Sequence, residues 1–245
     1  MVRCVSEAGL RSHTHLQAPI GIFGGTFDPI HHGHLRVALE VLEALRLTEL
    51  RFLPARQPPH RDTPGVAPEQ RLDLLRSAVA EQPGFVVDKR ELRRSGPSYT
   101  VDTLASLRAE LPDTPLCLLV GRDAFGTLHR WSRWHQLFEL AHIVVLNRPG
   151  NWPALSPELN AEVTTRQLPA AAGLQQRLAG GLWFQSVTPL TISATHIREL
   201  LASGRSPRYL LPDTVYTSIL KQGLYRAEHT GQRSTGADTG RGRGG

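Results

Sequence analysis

The chain is poor in cysteine, has no long apolar run, and shows no internal repeat; each shortage excludes something. Two cysteines among 245 residues, Cys4 and Cys117, cannot frame a disulfide scaffold. One lies in an apparent N-terminal lead and the other in a core-type strand, which suits a reducing cytoplasm. No Cys/His spacing fits a zinc site, so no metal held by protein ligands is expected. No apolar stretch approaches the ~20 residues of a membrane helix. The N-terminal segment MVRCVSEAGLRSHTHLQAP also lacks the apolar h-region of a secretory signal.

What remains describes a soluble globular chain. A length of 245 residues allows one α/β domain of ordinary size or two small ones. Hydrophobic residues make up 40% of it and the mean hydropathy is −0.24. The net charge of +6 favours polyanionic partners, without choosing between nucleic acid and small phosphorylated metabolites. The C-terminal stretch from Glu228 is not the source of the excess. Three arginines there stand against two carboxylates, in a Gly-, Ser- and Thr-rich context that reads as a disordered extension. The expected organisation is an unstructured lead over 1–18, one domain over 19–227, and a tail over 228–245.

The most informative stretch is IGIFGGTFDPIHHGHL, residues 20–35. Its apolar opening, Ile20 to Phe23, suits a buried parallel strand. Gly24 and Gly25 follow as a loop, then Thr26, Phe27 and the turn dipeptide Asp28-Pro29. Beyond Gly33 a helical period begins, with Leu35, Ala38, Leu39 and Leu42 at i, i+3, i+4, i+7. Glycines let backbone approach a ligand, and N–H groups at a helix start attract phosphate. His31 and His34, three residues apart, lie on one side of that first turn.

Further strands are expected at Leu50–Pro54, Phe85–Val87, Leu116–Val120, His142–Leu146 and Trp183–Val187. Helices are expected from Pro68, over Val101–Leu111, over Ser193–Leu201 and over Pro212–Leu220, with a short helical segment around Trp131 and Trp134. The proline-rich stretch ARQPPHRDTPGVAP reads as an unusually long loop. Residues 151–180 are the least legible part. Strands alternating with helices imply an α/β fold with a doubly wound parallel sheet, Rossmann-like, binding its ligand beyond the carboxyl ends of the strands.

A second phosphate candidate is TISATHIR, residues 191–198. Ser193 is placed to cap the helix, Thr195 adds a hydroxyl, and Arg198 lies about one turn on. Gly121-Arg122-Asp123 closes the central strand. Asp123 there can accept from ribose hydroxyls or simply cap a helix, and spacing alone does not choose. Trp131 and Trp134 can be core aromatics, or one can stack on a flat heteroaromatic ring.

The first stretch matches every specified position of the GGxFDPxHxGH signature of the HxGH nucleotidyltransferases: Gly24, Gly25, Phe27, Asp28, Pro29, His31, Gly33 and His34. Residues 192–198 resemble the ISSTxxR motif of the same superfamily, with Ala194 in place of its second serine. Pro58-Pro59-His60-Arg61, SYTVDT at 98–103, GRDAFGTLHRW at 121–131 and YLLPDTVYTSILKQGLY at 209–225 follow in the family's order. Together they resemble the bacterial nicotinate mononucleotide adenylyltransferase family, over roughly 19–226. Arg61 stands where the family usually has lysine.

The resemblance implies transfer of an adenylyl group from ATP to nicotinate mononucleotide, in NAD biosynthesis. It implies His31, His34 and Arg198 as the catalytic set. ATP contacts would come from Gly24, Gly25, Thr26, Phe27, His31, His34, Gly121, Asp123, Ser193, Thr195 and Arg198. The acceptor would be framed by His60, Tyr99, Thr100 and Trp131. Mg2+ would be held mainly through ATP phosphates. No nucleic-acid or membrane partner is expected, because the sequence has neither an RGG-rich array nor a helix-turn-helix signal; a homo-oligomer is left open. Other HxGH transferases, such as phosphopantetheine adenylyltransferase or cytidylyltransferases, are disfavoured by SYTVDT and the tryptophan segment.

Overall fold

Six parallel strands form one sheet in this computed structural model, which describes residues 16–56, 65–147 and 154–226. Most of the two expected extensions, and the loop residues His60 and Arg61, lie outside the described residues. The strands are β1 (Ile20–Gly25), β2 (Glu49–Pro54), β3 (Phe85–Val87), β4 (Leu116–Gly121), β5 (His142–Asn147) and β6 (Leu182–Ser186). Their order is β3-β2-β1-β4-β5-β6, the doubly wound arrangement, with its reversal between β1 and β4.

Period-2 alternation sorts side chains to two cores. In β4, Leu116, Leu118 and Val120 enter one, while Cys117 and Leu119 enter the other. Four helices cover the Cys117 face: α1 (His32–Ala44), α2 (Pro68–Val79), α7 (Ala194–Ala202) and α8 (Asp213–Gln222). The opposite face carries α3 (Thr100–Glu110), α4 (Arg122–Gly126), α5 (Trp134–Leu140) and α6 (Pro157–Arg166). Cys117 is a packing residue, its thiol pushed up to about 12 by burial. Among the described residues no helix is long and apolar enough to cross a membrane.

Three local outcomes differ from the periodicity reading. β1 runs on through Gly24 and Gly25, because its backbone keeps pairing with β2 as far as Gly25 opposite Pro54. Its pairing with β4 ends earlier, at Ile22 opposite Leu118, so the sheet opens at the carboxyl ends where the strand order reverses. The buried stripe of α1 is Val37, Ala38 and Val41, with Leu35 and Leu42 on its flanks. The tryptophan segment is three pieces: α4, a 3-10 turn at Leu128–Arg130, and α5. Residues 151–180 supply α6 and a 3-10 turn at Ala171–Gln175.

At the other end of the sheet, His142 is fully buried at the start of β5. Its Nδ1 accepts from Gly181 N–H at 2.9 Å, so the proton sits on Nε2, which donates to the Arg177 carbonyl at 2.8 Å. Burial lowers its pKa from 6.5 to about 4. The native state therefore favours the neutral ring. This contribution is complete above pH 6.5 and is lost as pH falls toward 4, about 3 kcal/mol in all. Urea midpoints between pH 7.5 and 4.5 check it: His142→Gln is expected to flatten the acid slope while lowering the midpoint at neutral pH. A variant with the parental slope would clear His142.

Candidate active site

Helices that follow parallel strands begin at the sheet's carboxyl edge, and here the candidate residues gather on those beginnings. The loop after β1 turns at Phe27, whose backbone is left-handed with φ 48°, and the Asp28–Pro29 peptide is cis. The Phe27 ring folds back over Gly25, where a Cβ would lie 2.9 Å from its Cζ, so the pair Gly25–Phe27 leaves no room for a side chain at 25. His31, extended at φ −150°, ψ 169°, caps α1 through its carbonyl, which accepts from the N–H of His34 at 2.9 Å.

The two histidine rings stack, with centroids 3.7 Å apart and planes at 26°. His31 is buried, whereas His34 is part-exposed and meets the Phe27 ring edge-on at 5.2 Å. Gly33 is needed between them. A Cβ there would stand 3.0 Å from His31 Nδ1 and 3.4 Å from the Ile192 carbonyl. That second contact brings the residues just before α7 against the start of α1.

Ser193 is the N-cap of α7 and accepts from His196 N–H at 3.2 Å, as its position in the sequence suggests. Arg198 reaches across to the signature loop, donating from Nη1 to the Asp28 carbonyl at 2.8 Å and from Nη2 to Thr195 Oγ1 at 3.4 Å. Residues about 170 positions apart are thus joined. The Arg198 bridge and the approach of Gly33 to Ile192 bring the beginning of α7, with Ser193, Thr195 and Arg198, beside the beginning of α1, with His31 and His34. Such a set can bind a polyphosphate and stabilise negative charge on it.

Gly121 caps α4 through its backbone, and Asp123 lies exposed in that helix's first turn, so Asp123 is not the N-cap. Tyr99 is the N-cap position of α3 and Thr100 its first residue. Trp131 follows the Leu128–Arg130 turn and packs, partly buried, against the same core as α3. Arg133 Nη2 meets Asp102 Oδ1 at 2.6 Å and ties the tryptophan segment to α3. Tyr99, Thr100 and Trp131 therefore belong to one face of the sheet, while His31, His34 and Arg198 sit above β1. His60 is outside the described residues.

Sequence reasoning missed the groups that hold this arrangement from below. Arg71 is fully buried on α2 and donates to three carbonyls: Thr26 at 2.5 Å, Ala55 at 2.8 Å and Arg56 at 3.3 Å. It bolts the signature loop to the end of β2. The signal was present, since Arg71 precedes Leu74 and Leu75 by three and four positions on the inward face of α2. Glu91 is the second case, a buried carboxylate that accepts from Thr103 Oγ1 at 2.8 Å. Burial raises its pKa, while bonds from Thr103 and Ser98 oppose that, so it anchors the segment that leads into α3.

Comparison with known proteins supplies the family context. The cytidylyltransferase-like family matches residues 22–200. A Halorhodospira halophila protein named "Probable nicotinate-nucleotide adenylyltransferase" is 58% identical over 206 residues, covering 84% of this chain and 94% of that protein. One of the same name from Aeromonas salmonicida is 53% identical over 214 residues, covering 87% of this chain and 100% of that protein. The solved structure of Plasmodium falciparum nicotinic acid mononucleotide adenylyltransferase complexed with NaAD superposes with a TM-score of 0.65. It covers 85% of this chain and 98% of that one at 15% identity, a likeness of fold alone.

Proposed function

The chain belongs to the cytidylyltransferase-like family and, within it, to the nicotinate-nucleotide adenylyltransferases, and on that premise we propose that it transfers the adenylyl group of ATP to nicotinate mononucleotide. The acceptor's 5′-phosphate oxygen attacks the α-phosphorus of ATP in line. The bond from that phosphorus to the bridging oxygen breaks, pyrophosphate leaves, and nicotinate adenine dinucleotide, the deamido form of NAD, is formed. Phosphate is already a nucleophile at neutral pH, so the site needs positioning and charge stabilisation and no covalent intermediate. Residues 19–227 act as one nucleotidyltransferase domain in this reading, and a reducing cytoplasm suits the free thiol of Cys117.

His31 and His34 lie against the ATP phosphates, with His34 nearest the reacting centre. Ser193, Thr195 and Arg198 hold the β- and γ-phosphates, Gly24 to Phe27 line the approach, and Gly121 and Asp123 meet the ribose. Tyr99, Thr100 and Trp131 frame the nicotinate ring, with His60 from the loop after β2. A divalent cation, read as Mg2+, would be held mainly through the ATP phosphates and would supply neutralisation of their charge. Among the described residues no group of three His, Cys, Asp or Glu is placed to hold a metal ion.

The observation that carries this reading is the Arg198 bridge to the Asp28 carbonyl, because it sets the α7 beginning beside the two histidines. Pyrophosphate release with ATP and a panel of acceptor phosphates tests it. Nicotinate mononucleotide is expected to be the fastest acceptor; faster release with 4′-phosphopantetheine, or with CTP replacing ATP, would overturn it. Arg198→Lys is a narrower test. The lysine keeps the charge but loses the fork that grips two oxygens while reaching Asp28. One lost charge-assisted bond predicts about a tenfold or larger fall in kcat/KM for ATP. A silent lysine, together with a nearly silent alanine, would make Arg198 a surface residue of α7.

A further inference from the structure

Arg198 does not stand alone: the carboxylate of Asp28 lies beneath it, and that carboxylate is buried and held from two other parts of the chain. Its Oδ2 accepts from Gly65 N–H at 2.7 Å and stands 3.8 Å from Arg198 Nη1. Its Oδ1 accepts from the Tyr225 hydroxyl at 2.7 Å. Tyr225 follows the last helix in a left-handed conformation, φ 60°, which a tyrosine adopts only where its surroundings fix it. Gly65 sits between the two: a Cβ there would lie 3.4 Å from the Tyr225 ring and 3.5 Å from Arg198 Cδ. The fully buried Arg71 adds positive charge to the same cluster. Burial, then the adjacent Asp28, push the Tyr225 phenol up, so it remains a donor at any ordinary pH.

We propose that Asp28 and Tyr225 are positioning residues that set the Arg198 guanidinium for the nucleotide's phosphates, so that the turn after α8 is a working part of the ATP site. Asp28 holds Arg198 twice, through its carbonyl at 2.8 Å and its carboxylate at 3.8 Å. Tyr225 keeps that carboxylate turned toward it. Without the phenol, Asp28 Oδ1 loses a donor, its carboxylate can rotate, and Arg198 is free to leave the loop.

The proposal rests on the reading of Arg198 as a phosphate ligand, and calorimetric titration with Mg-ATP separates the two. Arg198→Ala, Tyr225→Phe, the double variant and Asp28→Asn are compared, with nicotinate mononucleotide as the second titrant and thermal unfolding as a control. Tyr225→Phe is expected to weaken ATP binding about three- to tenfold, the low end for coupling within one hydrogen-bonded network. It should leave nicotinate mononucleotide binding unchanged and add nothing to Arg198→Ala. Asp28→Asn, which keeps the volume and removes the charge, should weaken ATP selectively in the same way if the Phe variant unfolds. Normal ATP binding in Tyr225→Phe beside a weakened Arg198→Ala overturns the latch and leaves Arg198 in the site. Additive losses, or equal losses for both titrants, reduce Tyr225 to a stabilising contact and also overturn it. An Arg198→Ala protein that binds ATP normally overturns the phosphate reading and the latch together.

Discussion

Replacing His34 by alanine is expected to leave the fold intact and to lower kcat by about 10²–10⁴, the range for a lost transition-state donor. The part-exposed residue stands in the first turn of α1, and its ring contacts include edge contacts with Phe27 and Phe23 at 5.2 and 6.2 Å and the stack on His31. Losing three such contacts, at about 0.5–1.5 kcal/mol each, costs a few kcal/mol, less than the roughly 5–15 kcal/mol that holds a folded domain together. His31 would be a poorer choice. Its ring is buried and packs into the space that Gly33 leaves open, so its removal would mix unfolding with catalysis. Thermal unfolding together with single-turnover rates at saturating ATP decides the matter for His34. His34→Asn, which keeps an N–H donor, should recover part of the loss. Near-parental turnover in a folded His34→Ala protein would remove His34 from the chemistry.

How far the sequence announced this site depended on distance along the chain. The stretch from Gly24 to His34 was legible as a strand end, turn and helix start because its parts are neighbours: glycine where Phe27 folds back, histidines three apart, a helix period following. The cap at Ser193 was legible for the same reason. The strands β4 and β5 were plain as apolar runs, since both faces are covered and all but the last residue of each is buried. Continuation of β1 through Gly24 and Gly25 could not be seen, because it depends on backbone pairing with β2 and not on side chains. The roles of Arg71, Asp28 and Tyr225 could not be seen either. Asp28 and Tyr225 are 197 positions apart, and only the folded topology makes them partners. Local chemistry was written in local pattern; the support for it was written in the packing.

Discrimination between the acid and amide forms of the acceptor is expected to be at least about 10²-fold in kcat/KM, favouring nicotinate mononucleotide over nicotinamide mononucleotide. The two differ only in a carboxylate against a carboxamide, so the site must offer donors to both oxygens. The start of α3 can do so. Its backbone ladder begins with Asp102 and Thr103 donating to the Tyr99 carbonyl, leaving the N–H groups of Thr100 and Val101 ahead of it at the positive end of an 11-residue helix. Asp102 in that first turn would repel an anion, but Arg133 is paired with it at 2.6 Å. An amide would set its NH2 against one of those N–H groups. Hydrogen bonds to a charged group contribute about 1.5–3 kcal/mol each, and two mispaired give roughly 10²–10⁴. If Trp131 stacks on the nicotinate ring as proposed, it does so for both acceptors, so Trp131→Ala should raise KM for both and leave their ratio nearly unchanged. Rates with the two acceptors, measured at matched ATP in the parent and in Trp131→Ala, test both statements. Equal rates in the parent would turn the assignment toward a dual-specificity enzyme, and a ratio that collapses in the variant would move the discrimination from α3 to the tryptophan.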